Sequence, residues 1–512
     1  MKKKSIAFIL IFLASLFSNC SSCSCKSGRN KSFLLLLGSN GSTSEVGTSP
    51  GEESDTSTGE DLWARSVSPP GSNNSEFKSV SAGSDGIYAA GYIMGTGVYN
   101  FGGPTAQGTC SLNNVVLVKY DTNGEAQWAR SVLSGSSTSV FNSVSVGSEG
   151  VYAVGSIYGT GEYKFGEKTV NVDSDGYNAV LVKYNTNGEV QWVSSVSPGS
   201  KSSLFHCVSV GSDGIYAAGY IVGKDLYSFG TQSVSGASDN YNAVLVKYDT
   251  DGNTVWAKSV SDGPASGLSR FYSVSAGNDG IYVAGYILGI DEYKFGDKSV
   301  NGAFGGGDNA VLVKYDTNGV AQWAKSVSAG SGPSKFNSVS VRSGGIYAAG
   351  YIFGIDEYKF GDKSVNGAFG GDDNAVLVKY DTNGVAQWAK SVSAGSGPSE
   401  FNSVSVRSGG IYASGYIVGI GPYTFGTQTV NAINAINTCS NVVLVKYDIS
   451  GNSLWARSVS DATKDSEFYS SSAGSSGIYA AGYINDTGNY TFGTQTANGA
   501  HSFYNVVLVK YK

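Results

Sequence analysis

Histidine, proline, methionine and charged side chains are all scarce in this chain of 512 residues. It contains 2 His, 9 Pro and 2 Met, and charged residues make up 14% of it, against about 25% in an average soluble domain. Two histidines are too few for a histidine-rich metal centre or a histidine-based proton relay. The formal net charge of −6 and the pI near 5.1 argue against nucleic acid as a partner.

Glycine and tyrosine are abundant instead. The chain has 71 Gly and 33 Tyr, and 41% of its residues are hydrophobic. This is enough apolar side chain to build a core, so the composition excludes wholesale disorder. A chain rich in Gly and Tyr and poor in charge favours an all-β protein outside the cytosol.

The amino terminus has the pattern of a bacterial export signal. Lysines at positions 2–4 precede an apolar run at 6–17, which is too short to span a bilayer. The run ends in Leu16-Phe17-Ser18-Asn19-Cys20, which resembles a bacterial lipoprotein box, although Ala or Gly is commoner than Asn before the cysteine. The resemblance implies that residues 1–19 are a signal peptide and that Cys20 carries lipid, palmitate included, which holds the protein to a membrane. Ordinary cleavage and secretion is the alternative.

The residues after Cys20 predict where the protein is held and how. In lipoproteins an Asp directly after the lipidated cysteine favours the inner membrane, so Ser21 favours the outer membrane; whether the protein faces the cell surface or the periplasm stays open. Apart from an apolar run at 33–37, residues 20–60 are mostly polar and poor in apolar side chains, which predicts a flexible, lipid-anchored tether.

The other cysteines have no paired spacing. Cys23 and Cys25 lie beside Cys20, while Cys110, Cys207 and Cys439 are scattered singly. This pattern predicts neither a disulfide framework nor a zinc site. A bridge between Cys23 and Cys25, or between Cys110 and Cys439, stays open.

An internal repeat covers residues 61–512. Seven tryptophans recur at spacings of 65, 64, 64, 67, 65 and 67 residues. They are Trp63, Trp128, Trp192, Trp256, Trp323, Trp388 and Trp455. Each of the last six follows a stretch such as NAVLVKYDTNGVAQWAKSV at 309–327. After each Trp come a Ser/Gly-rich stretch, an F-x-S-V-S segment, an IYAAGYI segment and a Y-x-F-G segment, all with small variations.

The repeat unit predicts four β-strands and almost no helix. F-x-S-V-S, IYAAGYI, AVLVKY and the Trp segment are runs of β-branched, aromatic or small residues bounded by Gly, Asp and Asn, and none keeps a helical period. We name them strands a, b, c and d. Asp-Thr-Asn-Gly at 121–124 predicts a tight c–d hairpin. The b–c segment, about 20 residues long, has room for a further short hairpin.

Four strands repeated seven times predict a single seven-bladed β-propeller with blades of about 65 residues. The chain ends support a closed ring. The first copy has only a Trp strand, at Trp63, and the last copy has strands a, b and c but no Trp strand. We therefore expect the amino-terminal Trp strand to complete the last blade. The alternative is an open array of repeats.

These segments resemble the bacterial β-propeller-repeat (SBBP-type) families of secreted and surface lipoproteins. The match lies in the NAVLVKYDTNG-to-Trp hairpin and in SDGIYAAGYI at 212–221, and it covers residues 61–512. It is specific for architecture, while propellers serve many functions. Quinoprotein-like propellers and the Asp boxes of sialidases require other spacings than that from Asp121 to Trp128, so neither motif is present.

The sequence contains no recognisable catalytic set, cofactor motif or metal site. Asp-x-Asn-Gly turns supply about two ligands each, which is too few for calcium and is explained by the turns themselves. The recurrent tryptophans predict packing between blades rather than a sugar-stacking platform. His206 and Cys207 lack a partner acid or base in the sequence, so they are a weak candidate for a nucleophile.

The loops suggest where binding takes place. The a–b and c–d turns are short and uniform, whereas the d–a loops and b–c segments vary and should emerge together on the opposite face. The residues just before the a-strand Phe are Glu76, Val140, Leu204, Arg270, Lys335, Glu400 and Glu467. We expect the charged ones to lie at the ends of the d–a loops, as a mixed-charge crown near the channel mouth. They are either simply solvated or part of a recognition surface.

These observations predict a membrane-anchored, non-enzymatic interaction scaffold at the bacterial envelope. Its partner would be a protein or a glycan on the variable-loop face. A periplasm-facing factor for outer-membrane assembly is the second hypothesis. A polysaccharide-active hydrolase or lyase is the third.

Overall fold

The computed structural model describes residues 57–69, 73–172, 174–197, 201–342, 345–433, 439–462 and 464–512. Within these ranges the regular structure consists of 42 β-strands. The same ranges contain no helix that is long and apolar enough to cross a membrane. The predicted signal peptide, Cys20, Cys23, Cys25 and the tether up to residue 56 lie outside the described residues.

Seven four-stranded antiparallel blades form a β-propeller, which confirms the predicted fold. Adjacent a strands contact one another around the axis, and strands b, c and d follow outward. In the order of blades 1 to 7, the a strands are β2 (Ser75–Gly83), β8 (Ser139–Gly147), β14 (Ser203–Gly211), β20 (Ser269–Gly277), β26 (Ser334–Arg342), β32 (Ser399–Arg407) and β38 (Ser466–Gly474). The b strands are β3 (Gly86–Met94), β9 (Gly150–Tyr158), β15 (Gly214–Val222), β21 (Gly280–Leu288), β27 (Gly345–Phe353), β33 (Gly410–Val418) and β39 (Gly477–Asn485).

The outer half of each blade is formed by strands c and d. In the same order, the c strands are β6 (Asn113–Tyr120), β12 (Tyr177–Tyr184), β18 (Tyr241–Tyr248), β24 (Asp308–Tyr315), β30 (Asp373–Tyr380), β36 (Ser440–Tyr447) and β42 (Tyr504–Tyr511). The d strands are β7 (Ala126–Ser131), β13 (Val190–Ser197), β19 (Thr254–Ser259), β25 (Ala321–Ser326), β31 (Ala386–Ala394), β37 (Ser453–Asp461) and β1 (Asp61–Ser66).

Each b–c segment forms a short hairpin. The hairpin strands are β4 (Val98–Asn100) and β5 (Thr105–Gln107), β10 (Gly161–Phe165) and β11 (Lys168–Val172), β16 (Leu226–Phe229) and β17 (Gln232–Ser235), β22 (Glu292–Phe295) and β23 (Lys298–Asn301), β28 (Glu357–Phe360) and β29 (Lys363–Asn366), β34 (Ile420–Phe425) and β35 (Gln428–Ile433), and β40 (Asn489–Phe492) and β41 (Gln495–Asn498). The first strand of the hairpin pairs with the d strand of the preceding blade, as β16 does with β13, or through a single bridge, as Ser68 does with Asn100. The hairpin therefore links neighbouring blades and adds no fifth strand to its own.

The ring closes as the sequence predicts. Strand β1 pairs antiparallel with β42, with Trp63 opposite Lys510, so the amino-terminal Trp strand is the outer strand of blade 7. The open-array alternative is wrong. Closure pairs the outer edge of β42, which would otherwise be exposed.

Two rings of serine hydrogen bonds join the a strands. Their inner-edge N–H groups have no neighbouring strand and need another acceptor. The first serine of each F-x-S-V-S segment accepts from the next a strand, as Ser79 Oγ does from the Val144 N–H at 3.1 Å. The same bond crosses the seam of the ring, where Ser470 Oγ accepts from the Val80 N–H at 3.1 Å. The second serine repeats the pattern, so these small side chains let the strands meet near the axis.

The tryptophans hold the outer part of neighbouring blades together. Trp128 Nε1 donates to the Thr186 carbonyl, in the c–d turn of the next blade, at 3.1 Å. Gly188 of that turn lies against the indole, where an added Cβ would come within 2.9 Å of a ring carbon. Lys119 Nζ donates to the same carbonyl at 3.2 Å. Trp63, Trp192, Trp256, Trp323, Trp388 and Trp455 make equivalent Nε1 bonds.

The ring begins before the predicted boundary at residue 61. Trp455 Nε1 donates to the Ser57 carbonyl at 3.1 Å, and Arg457 Nε donates to the Gly59 carbonyl at 2.8 Å. Residues 57–60 thus take the place of a c–d turn beside blade 6. The composition of this segment resembles a tether, and its contacts with blade 6 and with Lys512 assign it to the ring.

Candidate functional site

The two faces of the ring differ. Strand direction places the a–b and c–d turns on one face, which we call the turn face, and the d–a loops and b–c hairpins on the other, the loop face. The c–d turns are uniform because an Asp side chain, or Asn185 in blade 2, caps them: Asp121 Oδ1 accepts from the N–H groups of Asn123 and Glu125, both at 2.9 Å. The predicted turn chemistry accounts for these aspartates. Among the described residues no group of three or more His, Cys, Asp or Glu could hold a metal ion.

A β-bulge in every a strand shapes the opening at the axis on the loop face, which we call the mouth. In β2 the pairing with β3 shifts between Phe77 and Ser79, and the other six a strands shift at the same place. A bulge re-aims the extra residue out of the regular ladder. The extra residues form the floor of the mouth, and they are Lys78, Asn142, His206, Tyr272, Asn337, Asn402 and Tyr469.

The bulge also explains the glycine in every IYAAGYI segment. A Cβ on Gly91 would lie 1.9 Å from the Glu76 carbonyl oxygen, and a Cβ on Gly285 would lie 1.9 Å from that of Arg270. No side chain fits between the bulged a strand and the b strand at this point. The glycine therefore belongs to the construction of the mouth.

The predicted crown residues form the wall of the mouth. Glu76, Arg270, Lys335, Glu400 and Glu467 are each the second residue of an a strand, so the expected position at the loop ends is wrong. Each lies opposite a b-strand tyrosine. Glu76 is 2% exposed and Arg270 4%, because the bulge turns both inward.

Carboxylates dominate the wall on blades 6, 7 and 1. Glu76 pairs with Lys78 and accepts a hydrogen bond from the Tyr92 hydroxyl. Glu400 accepts from the Tyr416 hydroxyl at 2.8 Å and from Asn337 Nδ2, a floor residue of the preceding blade, at 2.6 Å.

The partly buried Glu467 lies in the same carboxylate sector. Burial raises the pKa of Glu467 to about 8, and the charges of Asp465 and Glu400 add to the effect. Burial likewise lowers the pKa of Lys78, although its ion pair with Glu76 opposes this.

Cations stacked on tyrosines dominate the wall on blades 4 and 5. The Arg270 guanidinium lies 3.6 Å from the ring centroid of Tyr241, in the preceding blade. Lys335 Nζ lies 5.0 Å from the ring centroid of Tyr272, a floor residue of the preceding blade. Arg270, Lys335 and Glu400 thus each contact the preceding blade. Val140 and Leu204 are the wall residues of blades 2 and 3.

His206 and Cys207 point to different parts of the ring. Cys207 takes the place of a first-ring serine, and burial raises the pKa of its thiol to about 11, so it is not an activated nucleophile. His206 is a floor residue, 3% exposed, and neither ring nitrogen has a hydrogen-bond partner among the described residues. Burial lowers the pKa of His206 well below its usual value, and the charges of Arg270 and Lys335 lower it further. Cys110, Cys207 and Cys439 form no disulfide with one another, so the open alternative of a Cys110–Cys439 bridge is wrong.

Sequence reasoning missed the floor. The residue after the a-strand Phe differs between copies, while the serines that follow it are nearly constant. Variation at one position inside an otherwise repeated segment was the available signal. It marks a position where three copies, Asn142, Asn337 and Asn402, donate to the carbonyl of the a-strand Phe in the next blade, while the other copies carry different side chains.

Comparisons with known proteins add little. No protein-family model matches the chain, and no curated protein matches it. One match among solved structures is the extracellular domain of a protein described as a hybrid two component system from B. thetaiotaomicron. The identity is 10%, the match covers 86% of this chain and 71% of that chain, and the TM-score is 0.20. A likeness this distant carries no argument about the function of this chain.

Proposed function

We propose that this chain is a non-enzymatic binding scaffold that is anchored by lipid to the bacterial envelope. Its partner, a protein or a glycan, binds on the loop face over the mouth. One observation carries the proposal: a scaffold repeated seven times presents wall and floor positions that differ from blade to blade. A purely structural ring would have no need of a mouth with carboxylates on one side and cations on the other.

The point where the described chain enters the ring supports binding of partners on the loop face. Ser57 lies on the turn face, where its hydroxyl hydrogen-bonds with the Tyr412 hydroxyl at 2.6 Å and accepts from Lys446 Nζ at 2.7 Å. The first described residue of the ring therefore lies on the face opposite the mouth, which supports binding of partners on the loop face.

The binding proposal is tested with a ring made uniform. All seven copies receive the d–a loop, b–c hairpin, wall residue and floor residue of blade 5, while the turn face stays unchanged. We expect the partners cross-linked to the wild-type protein on intact cells to be lost. A thermal melt of the chimera controls for folding. An unchanged set of partners for a folded chimera contradicts the proposal.

The anchoring proposal is tested at Cys20. We expect Cys20→Ser to abolish labelling by an alkyne-tagged palmitate and to release the protein from the membrane fraction. Persistent labelling would exclude Cys20 as the lipid site. Protease treatment of intact cells then separates a surface protein, which is clipped, from a periplasm-facing assembly factor, which is protected.

A second candidate, a polysaccharide-active hydrolase or lyase, is favoured by one observation. Burial raises the pKa of Glu467 to about 8, and Glu400 lies in the same sector. A carboxyl held protonated at neutral pH beside a second carboxyl is the arrangement of a general acid and its partner. This function requires turnover on a polysaccharide panel that Glu467→Gln abolishes. Binding without turnover favours the scaffold.

A further inference from the structure

The mouth carries more negative than positive charge. Besides the wall and floor residues, two c strands begin with an aspartate at their loop-face end. Asp308 acts electrostatically on the floor residue Tyr272, and Asp373 acts on Tyr351, opposite Lys335. The carboxyls that act on the mouth are Glu76, Asp308, Asp373, Glu400, Asp465 and Glu467. They outnumber its three cations, Lys78, Arg270 and Lys335.

Blade 1 neutralises its wall carboxylate from within the ring. Glu76 pairs with Lys78, the floor residue two positions later in the same strand. Lys78 Nζ also lies 4.1 Å from the ring centroid of Tyr469, the floor residue of the preceding blade. The wall and floor positions of one strand therefore face the same space, where a carboxylate and an aromatic ring together hold a cation.

Blades 6 and 7 have the wall carboxyl of blade 1 without its floor cation. At the position of Lys78 they carry Asn402 and Tyr469. In the described part of the chain no lysine or arginine forms an ion pair with Glu400 or Glu467. The place that a cation fills in blade 1 therefore has no cation from the ring in these two blades.

The carboxyls of blades 6 and 7 repel one another. Burial raises the pKa of Glu467 to about 8, and the charges of Asp465 and Glu400 add to the effect. Lys464, beside Asp465 in the chain, is paired with Asp486 at 3.1 Å. A cation supplied by a ligand removes this repulsion and lets Glu467 ionise.

A buried acceptor on the floor of blade 6 points to the same kind of ligand. Asn402 is 1% exposed, and its Nδ2 donates to the Phe468 carbonyl at 3.0 Å, while its Oδ1 has no donor among the described residues. Asn337, at the same position in blade 5, makes the same bond and also donates to Glu400, the next wall residue, at 2.6 Å. The repeat therefore places the amide of Asn402 beside Glu467. A buried acceptor without a donor is costly, so a ligand that donates hydrogen bonds is favoured here.

The loop face also offers apolar contact to a partner. The b–c segments of blades 4, 5 and 6 carry Ile290, Ile355 and Ile420 at equivalent positions, and these side chains are 57%, 56% and 49% exposed. Protein interfaces commonly surround an arginine anchor with such apolar contacts. A small free cation leaves the isoleucines uncovered, so a polypeptide fits this face better.

We propose that the mouth, between blades 6 and 7, binds an arginine side chain that a protein partner inserts from the loop face. A guanidinium carries the missing positive charge, and its five N–H donors match Glu400, Glu467 and the Asn402 oxygen. The ring already holds one such group in this way, since the Arg270 guanidinium lies 3.6 Å from the ring centroid of Tyr241. This inference rests on the proposed function, because it names the kind of partner that the loop face takes.

The test selects peptides on the purified full chain. A phage-displayed library of random heptapeptides is panned on the protein, and the selected peptides are synthesised with a fluorescent label for anisotropy titrations. We expect the selected peptides to contain arginine. Replacing this arginine by citrulline, which keeps the shape and removes the charge, should weaken binding about ten-fold or more. A selection that yields no peptide or only peptides without arginine, or equal binding of the citrulline form, overturns the inference.

Wall variants locate the binding site. Glu467→Leu gives blade 7 the wall residue of blade 3, Leu204, and Glu400→Gln keeps the shape of the side chain. We expect each to weaken binding of the arginine peptide about ten-fold. Glu189→Gln removes the same charge from a c–d turn on the turn face and is the matched control, which should leave binding unchanged. Unchanged binding in both wall variants, with wild-type thermal melts, overturns the assignment of the site.

A third variant supplies the cation from the ring itself. Glu467→Arg copies blade 4, where Arg270 occupies the same wall position. We expect this variant to lose the arginine peptide and to melt at a temperature no lower than the wild type, because the new guanidinium lies in the sector of Glu400 and Asp465. Retained peptide binding or a lower melting temperature contradicts the inference.

The same variant separates this inference from the proposed function. Partners on intact cells that stay cross-linked to Glu467→Arg, when no arginine peptide binds the wild type, leave the scaffold standing and refute only the arginine anchor. Partners that persist in the folded uniform ring refute the scaffold itself.

Discussion

The serine rings make a sharp prediction about stability. Ser338 is fully buried, and its Oγ accepts from the Val404 N–H of the next blade at 3.1 Å. In Ser338→Ala this N–H stays buried near the axis without an acceptor, which costs about 1–3 kcal/mol. We therefore expect the free energy of unfolding to fall by about 2 kcal/mol, the middle of that range. Guanidinium denaturation followed by tryptophan fluorescence measures the change.

Two matched variants decide whether the hydrogen bond is the cause. Ser364→Ala, on the exposed hairpin strand β29, removes a hydroxyl with no role in the ring and should change stability by less than about 0.5 kcal/mol. Ser338→Cys copies blade 3, where Cys207 occupies the same position. Its free energy of unfolding should fall less than that of the alanine variant. If Ser338→Ala is as stable as Ser364→Ala, the serine rings do not stabilise the propeller through these hydrogen bonds.

Three further predictions concern the mouth and the ring boundary. Gly350→Ala places a Cβ 1.9 Å from the Lys335 carbonyl oxygen. Denaturation should therefore show that the free energy of unfolding falls by about 3 kcal/mol or more. A folded variant of normal stability would refute the role of the bulge. Burial raises the pKa of Glu467 to about 8 from its ordinary 4.5, so its contribution to stability is present below pH 4.5 and is lost as the pH rises through 8. Glu467→Gln should make Tm fall less between pH 4.5 and pH 8. An unaltered slope of Tm against pH would argue against the raised pKa of Glu467. A chain that starts at residue 61 lacks the acceptor of Trp455 and should melt at a lower temperature than one that starts at 57; equal melting temperatures would restore the boundary at 61.

Most of the architecture was predictable because it is local and repeated. Asp-Thr-Asn-Gly specifies its own turn, the β-branched run AVLVKY predicts a buried strand, and the regular recurrence of Trp gives the number of blades. The incomplete repeat copies at the two ends complement each other, and this predicted closure of the ring. The error at the boundary has a physical reason: residues 57–60 are polar and look like tether, and their contacts with Trp455, Arg457 and Lys512, all distant in the chain, make them part of the ring.

The mouth was predictable only in outline. The sequence pointed to the residue before each a-strand Phe. The ring stacking and hydrogen bonds of such residues, however, are made with the neighbouring blade. Arg270 stacks on Tyr241, and Glu400 bonds to Asn337, which is 63 residues earlier in the chain. No local pattern encodes such a pair, because the distance between them depends on the curvature of the closed ring.

The sequence by itself determined the all-β repeat, the seven blades, the closing strand and the uniform turns, since each follows from short segments whose backbone preferences agree. The tertiary structure decided three things. It paired each b–c hairpin with the preceding blade, buried Glu76 and Arg270 in the wall of the mouth, and left the nitrogens of His206 without a hydrogen-bond partner among the described residues. All three arise where strands from different repeats meet, because only closure of the ring brings those side chains together.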